Sequence, residues 1–207
     1  MGLISKRTIP LLGVWRMDES VEELLTLLDR PEEQADFLRR ITAEGRRRER
    51  LASRVLLKQL IGEEPHVDYR PSGAPFLVDH SLHVSISHTR GYAAAILSPL
   101  PTGIDIEYRA DRVLRIRSRF MTPEEERSID LAHEVEHLLL HWCAKETLFK
   151  LIDQEEVDFL THLHVHPFPY SEQGSFQVSE SRTPQLQTFQ LAYQVTADYV
   201  LTWLAED

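Results

Sequence analysis

The sequence has a single cysteine, Cys143, and no apolar run that approaches the ~20 residues a membrane-spanning helix needs. One thiol cannot form a disulfide within the chain, so a disulfide-stabilised fold is excluded. The first residues also lack the charged and then apolar pattern of a secretion signal. We therefore expect a cytoplasmic protein without a membrane partner.

Positive charge is scarce as well, because 23 lysines and arginines face 33 aspartates and glutamates, a formal net charge of −10. Such a chain repels phosphate backbones except through a local basic patch, such as residues 46–48, so nucleic acid is not expected as a partner. With 207 residues and 42% hydrophobic content, the chain can form one large domain or two of roughly 100 residues each. We expect a monomer.

Hydrophobic periodicity predicts an α+β protein. Alternating apolar residues indicate strands at 83–88, 92–97 and 103–107, and four more in the last fifty residues. Helical spacing indicates helices at 19–29, at about 31–61, and from Thr122 to about residue 150 with an interruption near Ala132. Two prolines near residue 100 interrupt the strands, and we place the domain boundary there.

Carboxylates in two segments point to a metal. In the sequence G-I-D-I-E at 103–107, strand alternation places Asp105 and Glu107 on one face. Later, Glu146 and Lys150 stand four residues apart and share a helix face. Three carboxylates that leave coordination positions open for water and phosphate suit Mg²⁺, so Asp105, Glu107 and Glu146 are the candidate ligands.

Five segments, taken in order, resemble the surfactin-synthetase-activating type of 4'-phosphopantetheinyl transferase, over roughly residues 45–152. These segments are G-A-P at 73–75, S-I-S-H-T at 85–89, G-I-D-I-E at 103–107, R-F-M-T-P-E-E at 119–125 and W-C-A-K-E-T-L-F-K at 142–150. Either carboxylate motif alone would be weak evidence. The whole set in family order is specific.

The resemblance implies Mg²⁺-dependent transfer of the 4'-phosphopantetheine group from coenzyme A to a serine of an apo acyl or peptidyl carrier protein, with release of adenosine 3',5'-bisphosphate. It also implies two similar α/β subdomains packed as an intramolecular pseudo-dimer, with coenzyme A in the cleft between them. The first subdomain, 1–100, would hold the adenosine and 3'-phosphate side. The second, 101–207, would hold the metal and the catalytic residues.

The resemblance also implies roles for individual residues. Lys145 and Lys150 would steady the charge on the leaving bisphosphate, and the general base is either Glu146 or Glu125. Family members usually carry lysine at the position of Ala74, so either the affinity for coenzyme A is lower here or another cation, such as Arg70, substitutes. The residues expected to contact coenzyme A are Arg47, Arg48, Arg54, Gly73, Ala74, Pro75, Ser87, His88, Thr89, Lys145 and Lys150.

Two alternatives compete with the transferase. Residues 133–137 fit the inverted zinc-protease pattern H-x-x-E-H, which predicts a zinc hydrolase that uses His133, Glu136 and His137, with His141 one turn further. The zinc interpretation gives no role to Asp105 and Glu107. The other alternative is a non-catalytic homologue that binds coenzyme A or a carrier protein, favoured by Ala74 and opposed by the intact acidic set.

Overall fold

A computed structural model describes residues 2–205 as a mixed α+β protein with three antiparallel sheets. The helices are α1 Val21–Thr26, α2 Ala35–Arg40, α3 Glu44–Ile61, α4 Arg112–Ile116, α5 Pro123–Glu126 and α6 Glu134–Ile152. The strands are β1 Leu3–Thr8, β2 Leu11–Arg16, β3 Val67–Tyr69, β4 Pro75–Leu77, β5 His83–Thr89, β6 Tyr92–Ser98, β7 Ile104–Tyr108, β8 Leu163–Val165, β9 Gln173–Glu180, β10 Thr188–Val195 and β11 Tyr199–Leu204. Within residues 2–205, none of the helices has the length and apolar character needed to cross a membrane.

The first half is a four-stranded sheet in the order β1-β2-β6-β5, with α3 packed on it. Helix α3 buries an apolar stripe that includes Leu51, Val55 and Leu56. It ends at Ile61, as predicted, and Gly62 follows with a φ of +98° that is readily available only to glycine.

The predicted helix over 31–61 is wrong in extent, because the chain is extended at Ile41 and the helix is divided there. A short 3₁₀ turn and α2 precede the break, and α3 follows it. The Arg47 guanidinium donates to the carbonyls of Leu38 and Ile41, which satisfies acceptors that the end of α2 leaves open. This arginine stabilises the break from the next helix.

The second half is a five-stranded sheet in the order β7-β11-β10-β9-β8, with α6 lying against β7 and β11. The predicted helix start at Thr122 is confirmed, because its side chain and that of Glu125 form a capping box. The predicted interruption is confirmed too, since α5 ends at Glu126 and α6 begins at Glu134. The core of this half is formed by α6 and the inner face of the sheet.

The two sheets share a further apolar cluster. Leu12, Val14 and Ile96 from the first sheet lie in one buried group with Ile106 and Trp203 from the second. Each half therefore consists of an antiparallel sheet with one long helix, and the halves meet along their sheets. The division near residue 100 and the two-fold relation between the halves stay predictions.

Strands β5 and β7 run past each other at this junction. Hydroxyl groups join them, because Ser85 Oγ accepts the Ile104 N–H at 3.2 Å and Thr89 Oγ1 accepts the Tyr108 N–H at 3.0 Å. The S-I-S-H-T segment of the first half therefore lies directly beside the G-I-D-I-E segment of the second.

Candidate functional site

Asp105 lies at the junction of the halves and is 4% exposed. Its Oδ1 accepts hydrogen bonds from Ser87 Oγ at 2.7 Å and from Lys150 Nζ at 2.7 Å. The ammonium group also donates to the Ile104 carbonyl at 3.2 Å. The predicted proximity of Lys150 to the carboxylate strand is therefore present in the structure.

Glu107 is the second carboxylate of β7, and its oxygens are held from two sides. Trp142 Nε1 on α6 donates to Oε1 at 3.0 Å, and Thr89 Oγ1 on β5 donates to Oε2 at 3.3 Å. Both halves of the molecule thus position this carboxylate. Ser87 and Thr89, which the sequence suggested as phosphate contacts, instead donate to the carboxylates of Asp105 and Glu107.

Glu146 brings a third carboxylate to the same place from α6. Burial, followed by the negative charge of Asp105, raises the pKa of Glu146 to about 7, and Glu107 adds to the effect. Burial and Asp105 likewise raise the pKa of Glu107. The charge of Asp105 therefore opposes the ionisation of both glutamates, which places the two glutamates near Asp105.

This cluster fits a hard divalent cation by its chemistry. Asp105 Oδ2 is buried and has no hydrogen-bond partner within the described chain, so one carboxylate oxygen is left to be satisfied. Within residues 2–205, no three histidine, cysteine or acidic side chains are arranged as a ready ligand set, and Trp142 and Lys150 each hold one oxygen, of Glu107 and of Asp105 respectively. The donors suit Mg²⁺, because it prefers carboxylate oxygens as ligands.

A cleft of about 360 Å³, here called the arginine cleft, opens beside this junction. Arg50 and Arg54 of α3 both donate to the Tyr69 hydroxyl, at 3.1 and 3.0 Å. The Arg50 guanidinium lies 4.6 Å from the Phe37 ring centre and 5.4 Å from that of Tyr69. Its lining residues are Phe37, Ile41, Arg46, Glu49, Arg50, Ser53, Arg54, Tyr69, Gly73, Pro75, Ile86 and His88.

Sequence reasoning identified Arg54 in this cleft but missed Arg46 and Arg50. The signal was available, because residues 46, 50 and 54 repeat at a spacing of four and so share one helix face. Arg47 and Arg48 do not line the cleft; Arg47 binds the end of α2, and Arg48 donates to the Met17 carbonyl. The structure therefore does not bring these two predicted contacts to the site.

His88 lines the arginine cleft, as expected of a ligand contact. Its Nδ1 lies 3.5 Å from Glu49 Oε2, and Arg46 also pairs with Glu49 at 3.3 Å. Partial burial lowers the pKa of His88, and nearby Arg46 adds to this. At neutral pH the neutral imidazole can offer one N–H and one lone pair to the cleft.

The predicted G-A-P segment forms the turn of the β3–β4 hairpin, where Gly73 adopts a φ of +87°. A second cleft of about 540 Å³, the hairpin cleft, runs from this turn to the end of α6 and is lined by Ala74 and Lys150. Gly73 and Pro75 line both clefts, so the two are neighbours. Together they lead from the arginines of α3 toward the carboxylate cluster.

Arg70, the cation expected to substitute for a lysine at Ala74, lies at the turn of the β3–β4 hairpin and reaches the end of α6. Its Nη1 lies 2.9 Å from Asp153 Oδ2 at the end of α6. The pair joins the hairpin of the first half to the helix of the second.

Lys145 and Glu125 do not belong to this surface. Both side chains are 0% exposed, and Lys145 Nζ donates to Glu125 Oε2 at 2.9 Å and to the Phe159 carbonyl at 2.9 Å. Glu125 Oε1 accepts the Val165 N–H at 2.9 Å. Because neither group reaches solvent, the structure gives this pair a structural role instead of the predicted phosphate contact and general base.

The proposed zinc site is wrong for the described residues. His133 Nδ1 lies 3.1 Å from Asp130, Glu136 pairs with Arg109, and His137 Nδ1 accepts the Asp130 N–H at 3.0 Å. His133 and Glu136 are thus each occupied by a different partner.

His137 and His141 are instead buried against Phe168, with ring centres 4.7 and 5.6 Å from it. Burial lowers the pKa of His137 and lowers the pKa of His141 well below its usual value, and His137, Lys145 and His164 add to the effect on His141. Protonation therefore favours the unfolded chain, so their stabilising contribution is present above about pH 6.5 and is lost as the pH falls below it.

We expect the free energy of unfolding to fall by about 1.4 kcal/mol for His141 alone between pH 7.5 and 5.5. Urea denaturation at both pH values measures it. His141→Phe should remove this part of the pH dependence, whereas His133→Phe, at an exposed position, should leave it unchanged. Equal pH dependence in wild type and His141→Phe would contradict the account.

A family model described as the 4'-phosphopantetheinyl transferase superfamily matches residues 101–204, half of the chain. No curated protein matches the sequence. The matched segment contains Asp105, Glu107, Glu146 and Lys150, the residues that meet at the junction. The chain belongs to the 4'-phosphopantetheinyl transferase superfamily.

Proposed function

We propose that this protein transfers the 4'-phosphopantetheine group of coenzyme A to a serine of an apo carrier protein, as a transferase of the surfactin-synthetase-activating type. The observation that carries the proposal is that Lys150 pairs with Asp105 and also lines the hairpin cleft, which neighbours the cleft of Arg46, Arg50 and Arg54. Negative charge for a cation and positive charge for phosphates thus lie side by side.

The clefts suggest how coenzyme A lies. Arginine guanidinium groups bind phosphate with several charge-assisted hydrogen bonds, so the 3'-phosphate belongs near Arg46 and Arg50. His88 lies in the same cleft and can donate to a phosphate oxygen. The pyrophosphate then lies toward Lys150, which is 25% exposed and lines the hairpin cleft.

Asp105, Glu107 and Glu146 are the residues that would hold Mg²⁺. A bound Mg²⁺ supplies neutralisation of pyrophosphate charge during phosphoryl transfer. Ser87 and Thr89 position the two strand carboxylates through their hydroxyl groups, and Trp142 fixes Glu107 from the other side. Contacts from both halves of the protein therefore fix the positions of Asp105 and Glu107.

The reaction forms one bond and breaks one. The serine oxygen bonds to the phosphorus that carries the pantetheine arm, and the bond from that phosphorus to the bridging oxygen of the pyrophosphate breaks. The bridging oxygen leaves with adenosine 3',5'-bisphosphate, whose charge Lys150 offsets. The serine proton passes to a base, and Glu146 is the candidate because Glu125 is buried in its ion pair.

The fold supports the same proposal. We infer that residues 1–100 and 101–207 act as two related subdomains, since each has an antiparallel sheet and one long helix. Coenzyme A would lie between them, where the hairpin of the first half faces the end of α6. The ion pair between Arg70 and Asp153 crosses this gap.

A non-catalytic homologue is the second candidate. Ala74 supports it, because this position lines the hairpin cleft and contributes no charge to it. Such a homologue would bind coenzyme A without turnover. The retained acidic cluster favours the transferase.

The test measures the release of adenosine 3',5'-bisphosphate from coenzyme A by chromatography. We expect release with an apo carrier protein and Mg²⁺, and none with a carrier whose acceptor serine is replaced by alanine. Binding of coenzyme A without release for any carrier would support the non-catalytic homologue instead.

A further inference from the structure

The lining of the hairpin cleft differs from that of the arginine cleft beside it. Its walls include the apolar side chains of Val84, Ile86, Phe149 and Val157. The Phe149 side chain, on the long helix α6, is 38% exposed. Apolar walls with a few polar groups are typical of sites that bind an organic chain, whereas phosphate groups need several cations. The hairpin cleft therefore fits the uncharged part of a ligand whose phosphates lie elsewhere.

The charged side chains that line the hairpin cleft are of both signs. Lys150 lines it at the junction of the halves, where its ammonium group lies 2.7 Å from Asp105 Oδ1. Glu155 and Glu156 line it from the exposed segment that follows α6. The cleft thus has a cation beside the carboxylate cluster and two carboxylates on its solvent side.

The negative charges of Glu155 and Glu156 are not offset by an ion pair. Asp153, the other acidic residue of the lining, pairs with Arg70 at 2.9 Å. Among residues 2–205, no lysine, arginine or histidine forms such a pair with Glu155 or Glu156. A ligand in the hairpin cleft therefore meets a local negative charge at these two glutamates.

Hydrogen bonds hold the segment that carries the two glutamates. Arg182 Nε donates to the backbone carbonyl of Glu155 at 3.0 Å, although Arg182 does not line the cleft. A few residues later, Asp158 Oδ1 accepts the N–H groups of Leu160 at 3.0 Å and of Thr161 at 2.8 Å. The backbone of this segment is thus fixed beside the cleft.

We propose that the hairpin cleft receives the pantetheine arm, and that Glu155 and Glu156 discriminate against coenzyme A thioesters whose acyl group carries a carboxylate. The inference rests on the proposed function, which places the pyrophosphate beside Lys150. From Lys150 the arm continues along the apolar wall, so the group on its sulfur lies near the two glutamates. A free thiol or a neutral acyl group is accepted there, whereas an acidic acyl group brings a like charge to them.

The test compares propionyl-coenzyme A with malonyl-coenzyme A, whose acyl groups have the same number of carbons and differ by one carboxylate. With an apo carrier protein, kcat/KM should be about tenfold lower for the malonyl thioester, because juxtaposed like charges oppose binding. Free coenzyme A and propionyl-coenzyme A should react at similar rates, since the propionyl group adds no charge. Raising the salt concentration should narrow the difference between the two thioesters, because salt screens charges near solvent.

Glu155→Gln combined with Glu156→Gln should let the two thioesters react alike, because glutamine keeps the size of the side chain and removes its charge. The matched control combines Glu22→Gln with Glu44→Gln, which makes the same change in net charge at exposed positions outside both clefts. Thermal unfolding checks that each protein is folded. A wild type that uses both thioesters equally, or a cleft variant that discriminates as the wild type does, would overturn the inference.

Calorimetric binding of the two thioesters, without a carrier protein, separates this inference from the proposed function. Weaker binding of the malonyl thioester, equalised by the two cleft substitutions, in a protein that shows no transfer would support the charge selection and overturn the proposed reaction. Transfer from both thioesters with equal efficiency would support the reaction and overturn the charge selection. A folded wild type that binds neither thioester would overturn both.

Discussion

Replacing Asp105 by asparagine should lower the rate of phosphopantetheine transfer by at least about a thousandfold, since a ligand of the charge-neutralising cation contributes several kcal/mol to the transition state. Asp105 lies at the centre of the cluster. It accepts from Ser87 and Lys150, and its charge raises the pKa of both Glu107 and Glu146. Steady-state rates with an apo carrier protein and Mg²⁺ measure the effect.

The same substitution should leave the protein folded. Asparagine keeps the size of the side chain and an oxygen for Ser87, and it removes the negative charge that opposes ionisation of the neighbouring carboxylates. Asp198→Asn is the control, because this carboxylate accepts the Tyr92 hydroxyl at 2.8 Å and lines neither the arginine cleft nor the hairpin cleft. An Asp105→Asn protein that is folded and keeps a tenth of the wild-type rate would contradict the assigned role.

Replacing Lys145 by methionine should lower the free energy of unfolding by about 3–5 kcal/mol. The substitution leaves Glu125 as a buried carboxylate without its cation, and burial of an unpaired charge is costly. Urea denaturation at neutral pH measures the loss. Lys58→Met, which breaks the more exposed pair with Asp29, should cost no more than about 1 kcal/mol.

A double variant tests whether the effect belongs to the pair. Lys145→Met combined with Glu125→Leu removes both charges, so it should be less destabilising than the sum of the single changes. If Lys145→Met were as stable as the wild type but bound coenzyme A more weakly, the phosphate contact suggested by the sequence would be favoured and the structural role would be wrong.

The carboxylate strand could be predicted from the sequence because the alternation of a strand depends only on neighbouring residues. Alternation places Asp105 and Glu107 on one face of any strand and Ile104 and Ile106 on the other, where both isoleucines lie in the apolar cluster shared by the two sheets. The helix start at Thr122 was predictable for the same reason, since a capping box involves only four neighbouring residues.

Roles that depend on helix orientation were harder to predict. Lys145 and Lys150 are five residues apart, which places them on different faces of α6, so one is buried with Glu125 and the other reaches Asp105. On α3, the face toward the cleft is set by packing against the sheet, and it carries Arg46, Arg50 and Arg54. Sequence alone showed a basic run without showing which of its members face a ligand.

The interruption at Ile41 has a similar cause. The hydrophobic spacing over 31–61 is compatible with one helix, but the carbonyls at the break are satisfied by the Arg47 side chain. A contact between a side chain and backbone six to nine residues away has no signature in periodicity. Because Arg47 makes this contact, its side chain does not line the arginine cleft, where a contact with coenzyme A would be made.

The most direct test of the central claim is the intact mass of an apo carrier protein after incubation with this protein, coenzyme A and Mg²⁺, beside a sample that contains EDTA. The account predicts a mass gain of one phosphopantetheine group, prevented by EDTA and abolished by Asp105→Asn. An unchanged mass for acyl and peptidyl carrier proteins alike, with folded protein that binds coenzyme A, would contradict it.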